Sequence, residues 1–354
     1  MTDTRPSSPL PGALRVFARP LAAGYSRIIG SRNAAFDAGR GVVEIDRPVI
    51  SVGNLSVGGT GKTPMVAWVV RTLVEAGHHP AIAMRGYASG AGESDEALEY
   101  RESFDGVPVV AQPDRLAGLL ALFATEQGEK CDCVVLDDGF QHRRISRQLD
   151  IVLVDATCNP FSDRLLPSGW LREPVASLAR AGVVVLTHSE SAPASELAGI
   201  KREIARIKTA LKIAVSRHVW KSLTVVVADG QRSEPVAWLR GKRVVAACGI
   251  GNPGPFVKSV NEAAGNPAIE FVRPDHDPFV PRTLQQLVDL AKARAVDAIV
   301  VTGKDWAKLK RVRREAWPCP VVRAHLEIAF DEGAEALKRA VLDTADAALP
   351  AREQ

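Results

Sequence analysis

The 354-residue chain is 46% hydrophobic and 24% charged, enough apolar content over that length to fill two compact cores rather than one. Its formal net charge of +4 is too mild for a surface built to neutralise many phosphates, so no nucleic-acid partner is expected. The five cysteines (Cys131, Cys133, Cys158, Cys248, Cys319) are odd in number, form no CxxC pair and mostly adjoin apolar runs, which reads as reduced core thiols in a cytosolic compartment.

Between Thr4 and Phe36 lie five arginines (Arg5, Arg15, Arg19, Arg27, Arg32) and no acid. The apolar stretch Leu10 to Ile29 contains three of them, each costing roughly 2.5 to 3.5 kcal/mol at the centre of a bilayer, so the segment does not span one. No signal peptide and no uninterrupted apolar run of about 18 residues is present either. At about 100° per residue Leu14, Phe17, Leu21, Tyr25 and Ile28 form one helical stripe, with Arg15, Arg19 and Arg27 on the other side. That pattern suits a helix lying in a lipid interface or an ordinary amphipathic helix packed on its own domain. Pro20 is expected to kink the segment or split it in two.

From Val49 to His188 short apolar runs (VISVG, AIAMRG, CVVLDD, DIVLVDA, VVVLTHS) alternate with helix-like stretches, the rhythm of a parallel sheet with crossover helices. The first run leads into Ser56-Val57-Gly58-Gly59-Thr60-Gly61-Lys62-Thr63, followed by a helical pattern with Pro64 in its first turn. Glycines let backbone N–H groups turn toward phosphates, and the helix N-terminus adds its positive end. Lys62 is expected on the β and γ phosphates and the Thr63 hydroxyl on Mg²⁺, which makes this a nucleotide-binding phosphate loop with Ser56 in place of the usual first glycine. The run ending in Asp137-Asp138 places two carboxylates at the carboxyl edge of a buried strand, where Mg²⁺ is held in such sheets; a solvated turn is the plainer reading of an acid pair alone.

Glu196 to Leu211 reads as a charged helix. KIAVSRH and LTVVVADG then read as two short strands of a hinge, and a second α/β series runs through RVVAACGIG, AIEFV, DAIVVTG and PVVRAHLEI to a helix near Glu332 to Leu342. The expected division is a basic amphipathic segment at 1–35, a P-loop domain at 36–212, a two-stranded hinge at 213–230 and a smaller α/β domain at 231–354.

The order SVGNLSVGGTGKTP, RGY (85–87), SDEA (94–97), DDGFQHRRI (from Asp137), RLLPSGWLREP (164–174), CGIGNPGPF (248–256), PDHDPF (274–279) and TGKDWAKL (302–309) resembles the tetraacyldisaccharide 4'-kinase family over most of the chain. The resemblance implies transfer of the γ-phosphate of ATP, with Mg²⁺, to the 4'-hydroxyl of tetraacyldisaccharide 1-phosphate, giving lipid IVA. It also implies an acylated disaccharide substrate met at the cytoplasmic face of the inner membrane, by a peripheral protein.

A sugar hydroxyl needs a proton acceptor, and the resemblance assigns that role to Asp95, with His276 in support. Arg85 and Arg172 become candidates for phosphate oxygens, which a planar guanidinium binds in pairs. Lys304 and Asp305 of TGKD are placed near the nucleotide base. Ala88, Asp277 and Gly303 depart from the family pattern. The competing reading is a P-loop GTPase or ATPase switch, against which stand the absence of an NKxD guanine motif and the lack of any use for Asp95 and His276.

Overall fold

The computed structural model describes residues 9–10, 12–86, 94–275, 277–310 and 312–347, the side chains of residues 12–14 and 95 excepted. The chain divides into two compact units, residues 1–217 with 328–354, and residues 218–327.

The first unit opens with a 3₁₀ segment, Gly12–Phe17, leading into α1 (Ala18–Asp37). Pro20 falls in the first turn of α1, where its missing N–H costs no helical bond, so the predicted split occurs just ahead of it. Then follow β1 (Val49–Asn54), α2 (Lys62–Glu75), β2 (Pro80–Met84), α3 (Asp95–Ser103), β3 (Val109–Ala111), α4 (Arg115–Phe123), the short α5 (Glu126–Glu129), β4 (Cys133–Asp137), β5 (Leu149–Asp155), β6 (Val183–Thr187) and α6 (Ala194–Ile207). The strands align in the order β3-β2-β4-β1-β5-β6, with the first half of β7 (Lys212–Val227) beyond β6, every pair parallel. β1, β2, β4, β5 and β6 are buried along their whole length, which explains their unbroken Val/Ile/Leu runs.

The second unit holds the rest of β7, then β8 (Gly230–Glu234), β9 (Val244–Cys248), α7 (Gly254–Ala264), β10 (Ile269–Val272), α8 (Pro281–Ala293), β11 (Ala298–Val301), α9 (Gly303–Leu309) and most of β12 (Val321–Glu332). Its parallel strands β10-β9-β11-β12 are packed on both faces, with Leu223, Val244 and Val260 in one cluster and Val245, Leu287 and Ile299 in another. None of the five cysteines forms a disulfide, and Cys131, Cys133 and Cys248 are buried.

Two expected boundaries move. The hinge predicted at 213–230 as two strands is instead one continuous β7, because nothing between Ser216 and Leu223 is a glycine or proline that would end it. The segment 231–354 is not a single domain. α10 (Ala334–Asp346), assigned by sequence to the second domain, belongs to the first unit, where Leu337, Ala340, Val341 and Ala345 share a core with Met65, Val66 and Val69 of α2.

The stripe on α1 is also divided. Phe17, Leu21 and Ile28 are exposed at 58%, 54% and 68%, next to Val16 at 79%, whereas Tyr25 turns inward and Ile29 is buried. Arg15, Arg19 and Arg27 are exposed beside the outer face. Among the described residues no helix is long and apolar enough to cross a membrane.

A tight backbone approach in the first unit lies just before the phosphate loop. A Cβ on Gly53 would sit 2.5 Å from Phe140 Cβ and 2.7 Å from its amide nitrogen, distances that force the strand and the turn after β4 apart. Gly53→Ala is therefore expected to lower the urea unfolding midpoint by the equivalent of about 1–3 kcal/mol; an unchanged midpoint would show that the approach carries no strain.

Candidate functional site

The phosphate loop is shaped by its glycines at two points only. Gly58 (φ 128°) and Gly61 (φ 81°) adopt conformations that side chains rarely reach, while Ser56 forms an antiparallel bridge with Leu171. Val57 N donates to Trp170 O at 2.8 Å and Arg172 N to Leu55 O at 2.7 Å, so the WLRE segment lies along the start of the loop. Ser56 is extended, which is why a side chain is tolerated where the usual motif has glycine. The loop's far end is held by Thr60, whose hydroxyl accepts from Asn54 Nδ2 (2.8 Å) and whose carbonyl accepts from the Thr187 hydroxyl (3.0 Å). Gly61 then caps α2, putting Lys62 and Thr63 at the helix's first two positions.

The acid pair projects two ways. Asp138 has a left-handed backbone (φ 50°), and its carboxylate accepts from Arg172 Nη1 at 2.7 and 2.9 Å and lies 3.6 Å from Lys62 Nζ. Burial pushes its pKa up, but Lys62 and Arg172 more than offset this and hold it below the usual carboxylate range. Asp137 is buried and accepts from the Tyr100 hydroxyl at 3.0 Å. Burial raises its pKa, Asp138 adds to the rise, and Lys62 only partly opposes it. Tyr100 lies within hydrogen-bonding reach of Thr63 as well, and burial followed by Asp137 drives its pKa well up. Arg115, itself buried, donates to the carbonyl of Asp138 at 3.2 Å.

Of the residues predicted from sequence, Ser56 to Thr63, Asp137, Asp138 and Arg172 thus form one cluster. Arg85 is exposed just past β2, near enough to Arg115 for their charges to repel. Asp95 opens α3 after the Ser94 cap, whose hydroxyl accepts from Ala97 N. His276 and Ala88 lie outside the described residues. Asp305 is fully buried inside the second unit, taking bonds from Gly249 N (3.0 Å) and the Thr302 hydroxyl (2.6 Å). Lys308 lies 3.4 Å from Asp305 and donates to Asp277 O at 2.9 Å, which ties Asp277 to α9.

Sequence reading missed Tyr100, Arg115 and the buried pair Asp155–His188 (3.1 Å) at the ends of β5 and β6. Burial alone would raise the Asp155 pKa and lower that of His188, but their mutual bond reverses both. The one available signal was that DIVLVDA and VVVLTHS end in ionisable residues at the sheet's carboxyl edge, beside the strand that carries the phosphate loop.

His142, in the DDGFQH turn, is pushed down to about 4 by burial and by Arg115, Arg147, Arg144 and Arg32. A folded pKa below the unfolded value means that its contribution is present above about pH 6.5 and is lost as pH falls toward about 4. Urea midpoints measured across that window are expected to fall less steeply for His142→Gln than for the wild type; parallel curves would refute the assignment.

A family model for tetraacyldisaccharide-1-P 4'-kinase matches residues 14–345. A tetraacyldisaccharide 4'-kinase of Anaeromyxobacter sp. (strain K) is 36% identical over 343 residues, covering 90% of this chain and 87% of its own. One from Geobacter metallireducens is 34% identical over 305 residues, covering 80% and 86%. The crystal structure of LpxK from Aquifex aeolicus in complex with ATP matches with a TM-score of 0.69 at 30% identity, over 94% of this chain and 99% of that one.

Proposed function

The chain belongs to the tetraacyldisaccharide-1-P 4'-kinase family, and from that premise we propose how its residues move the γ-phosphate of ATP to the 4'-hydroxyl of tetraacyldisaccharide 1-phosphate, forming lipid IVA. It is an ATP-dependent kinase of lipid A biosynthesis. The observation that carries the residue assignment is the Lys62–Asp138–Arg172 array at the mouth of the phosphate loop.

Phosphoryl transfer leaves little covalent work for the protein, so positioning and charge dominate. Lys62 and Arg172 supply the cations for the phosphate oxygens, and Asp138 holds both in register until those oxygens draw them away. The loop's backbone N–H groups and the N-terminus of α2 receive the remaining charge. Asp95 accepts the proton of the 4'-hydroxyl, His276 supports that carboxylate, and Arg85 is assigned to substrate phosphate.

Mg²⁺ fits the donor set. The Thr63 hydroxyl and the Asp137 and Asp138 carboxylates are hard oxygens, and Asp137 is buried at the strand end beside the loop. Among the described residues no group of three His, Cys, Asp or Glu side chains is placed to hold a metal ion. Thr63, Asp137 and Asp138 would hold it, and its chemistry there is neutralisation of the phosphate charge.

The outer face of α1, with Val16, Phe17, Leu21 and Ile28 beside Arg15, Arg19 and Arg27, suits a peripheral contact with the anionic cytoplasmic surface of the inner membrane, where the acylated substrate is embedded. Phe17→Ser with Ile28→Ser is expected to reduce co-sedimentation with vesicles containing anionic phospholipid; undiminished binding would remove α1 from the membrane.

The decisive assay is transfer of labelled γ-phosphate to tetraacyldisaccharide 1-phosphate in mixed micelles. Lys62→Ala is expected to slow it by about a hundredfold to a thousandfold through lost charge stabilisation. Asp95→Ala should slow it by about a hundredfold to ten-thousandfold while ATP affinity is kept. Collapse of ATP affinity in the second variant would make Asp95 a structural or metal residue, and label passing only to water would favour the switch reading instead.

A further inference from the structure

The inner face of α1 is bonded to the segments that build the phosphate site. Tyr25 Oη donates to the carbonyl of Arg172 at 2.9 Å. Asn33 Nδ2 donates to Glu173 Oε2 at 2.9 Å, a buried oxygen that also accepts from Arg180 Nη2 at 2.9 Å. Arg32 Nη2 donates to the carbonyl of Gln141 at 2.8 Å, and Arg143 Nη1 donates to the carbonyl of Asn33 at 3.0 Å.

One bond further in lies the site itself. Arg172 donates its N–H to Leu55 O at the loop's start and its guanidinium to Asp138, which neighbours Lys62. Gln141 Nε2 donates to Asn54 O at 2.8 Å, and the Asn54 amide holds the Thr60 hydroxyl. Two routes therefore run from α1, one to Lys62 through hydrogen bonds to Arg172 and Asp138 and a final ion pair of 3.6 Å, the other hydrogen-bonded to Thr60 through Gln141 and Asn54.

We propose that α1 is a positioning element of the catalytic centre as well as a surface contact, with Tyr25 and Asn33 as positioning residues that fix Arg172 and Glu173. This rests on the assignment of Lys62 and Arg172 to the phosphates. The helix that meets the lipid surface with one side sets the cation geometry of the phosphate site with the other, so a displacement of α1 at the surface is felt at Lys62. Deletion of the helix conflates the two roles, because it removes the outer apolar face and the Arg172 support together. Point substitutions on the inner face separate them.

Tyr25→Phe removes one hydroxyl and nothing else, Asn33→Ala removes one amide, and Asn33→Asp sets a carboxylate against Glu173. In the full chain and in mixed micelles, each of the first two is expected to lower kcat and raise KM for ATP, by about threefold to tenfold in kcat/KM, with the third worse than Asn33→Ala. Vesicle co-sedimentation and the thermal midpoint of Tyr25→Phe should match the wild type. Unchanged kcat and KM in the Tyr25→Phe/Asn33→Ala pair would overturn the proposal. So would a fall in vesicle binding with kcat retained, or a loss of rate that follows the thermal midpoint alone. If instead Lys62→Ala and Arg172→Ala leave transfer intact, the underlying phosphate assignment fails and not the coupling.

Discussion

The carboxylate of Asp138 is the group around which the nucleotide end of the first unit is organised. Its side chain is a third exposed, and the cations that hold it below the usual carboxylate range come from three distant segments. Lys62 arrives with the start of α2, Arg172 with a segment laid antiparallel along the loop, and Arg115 with the first residue of α4, bonded to the Asp138 carbonyl. The left-handed backbone at Asp138 follows from the same demand, since it aims the side chain at the two cations while the preceding residue faces Tyr100. Neighbouring acids in one dipeptide thus acquire opposite character, one held ionised below its usual range and the other raised by burial.

Much of the first unit could be read from residues alone, because a parallel sheet buried on both faces writes itself as continuous apolar runs. β1, β2, β4, β5 and β6 each fall on a run identified in that way, and the loop after β1 announces itself by glycine and lysine spacing. β3 escaped notice because it is three residues long and half-buried, too short for any period to show. The turn of Tyr25 away from its stripe was equally hidden. A 100° wheel ranks side chains by apolarity, whereas Tyr25 is drawn in by a backbone carbonyl 147 positions along the chain.

The site's second layer was illegible for the same reason. Tyr100 answers Asp137 from 37 residues away, Arg115 answers a carbonyl 23 away, and His188 answers Asp155 across two adjacent strands. No local pattern marks a residue whose only distinction is a distant partner. The identity of the acceptor substrate was absent from the chemistry altogether and came from the order of motifs. Asp305 likewise has partners that spacing does not show: its buried carboxylate accepts from Gly249 N and the Thr302 hydroxyl within the second unit.

Because β7 leaves the first unit and β12 returns to it, residues 218–327 are an insertion within a host whose core is closed by α10. During synthesis the host's sheet emerges first yet cannot be sealed until Leu337, Ala340 and Val341, which follow the insertion, have been translated. The inserted unit, contiguous in sequence, has all of its own strands available earlier and can finish folding while the host is still open. Until α10 has left the ribosome, the half-built sheet therefore lacks the side chains that complete the α2 side of its core.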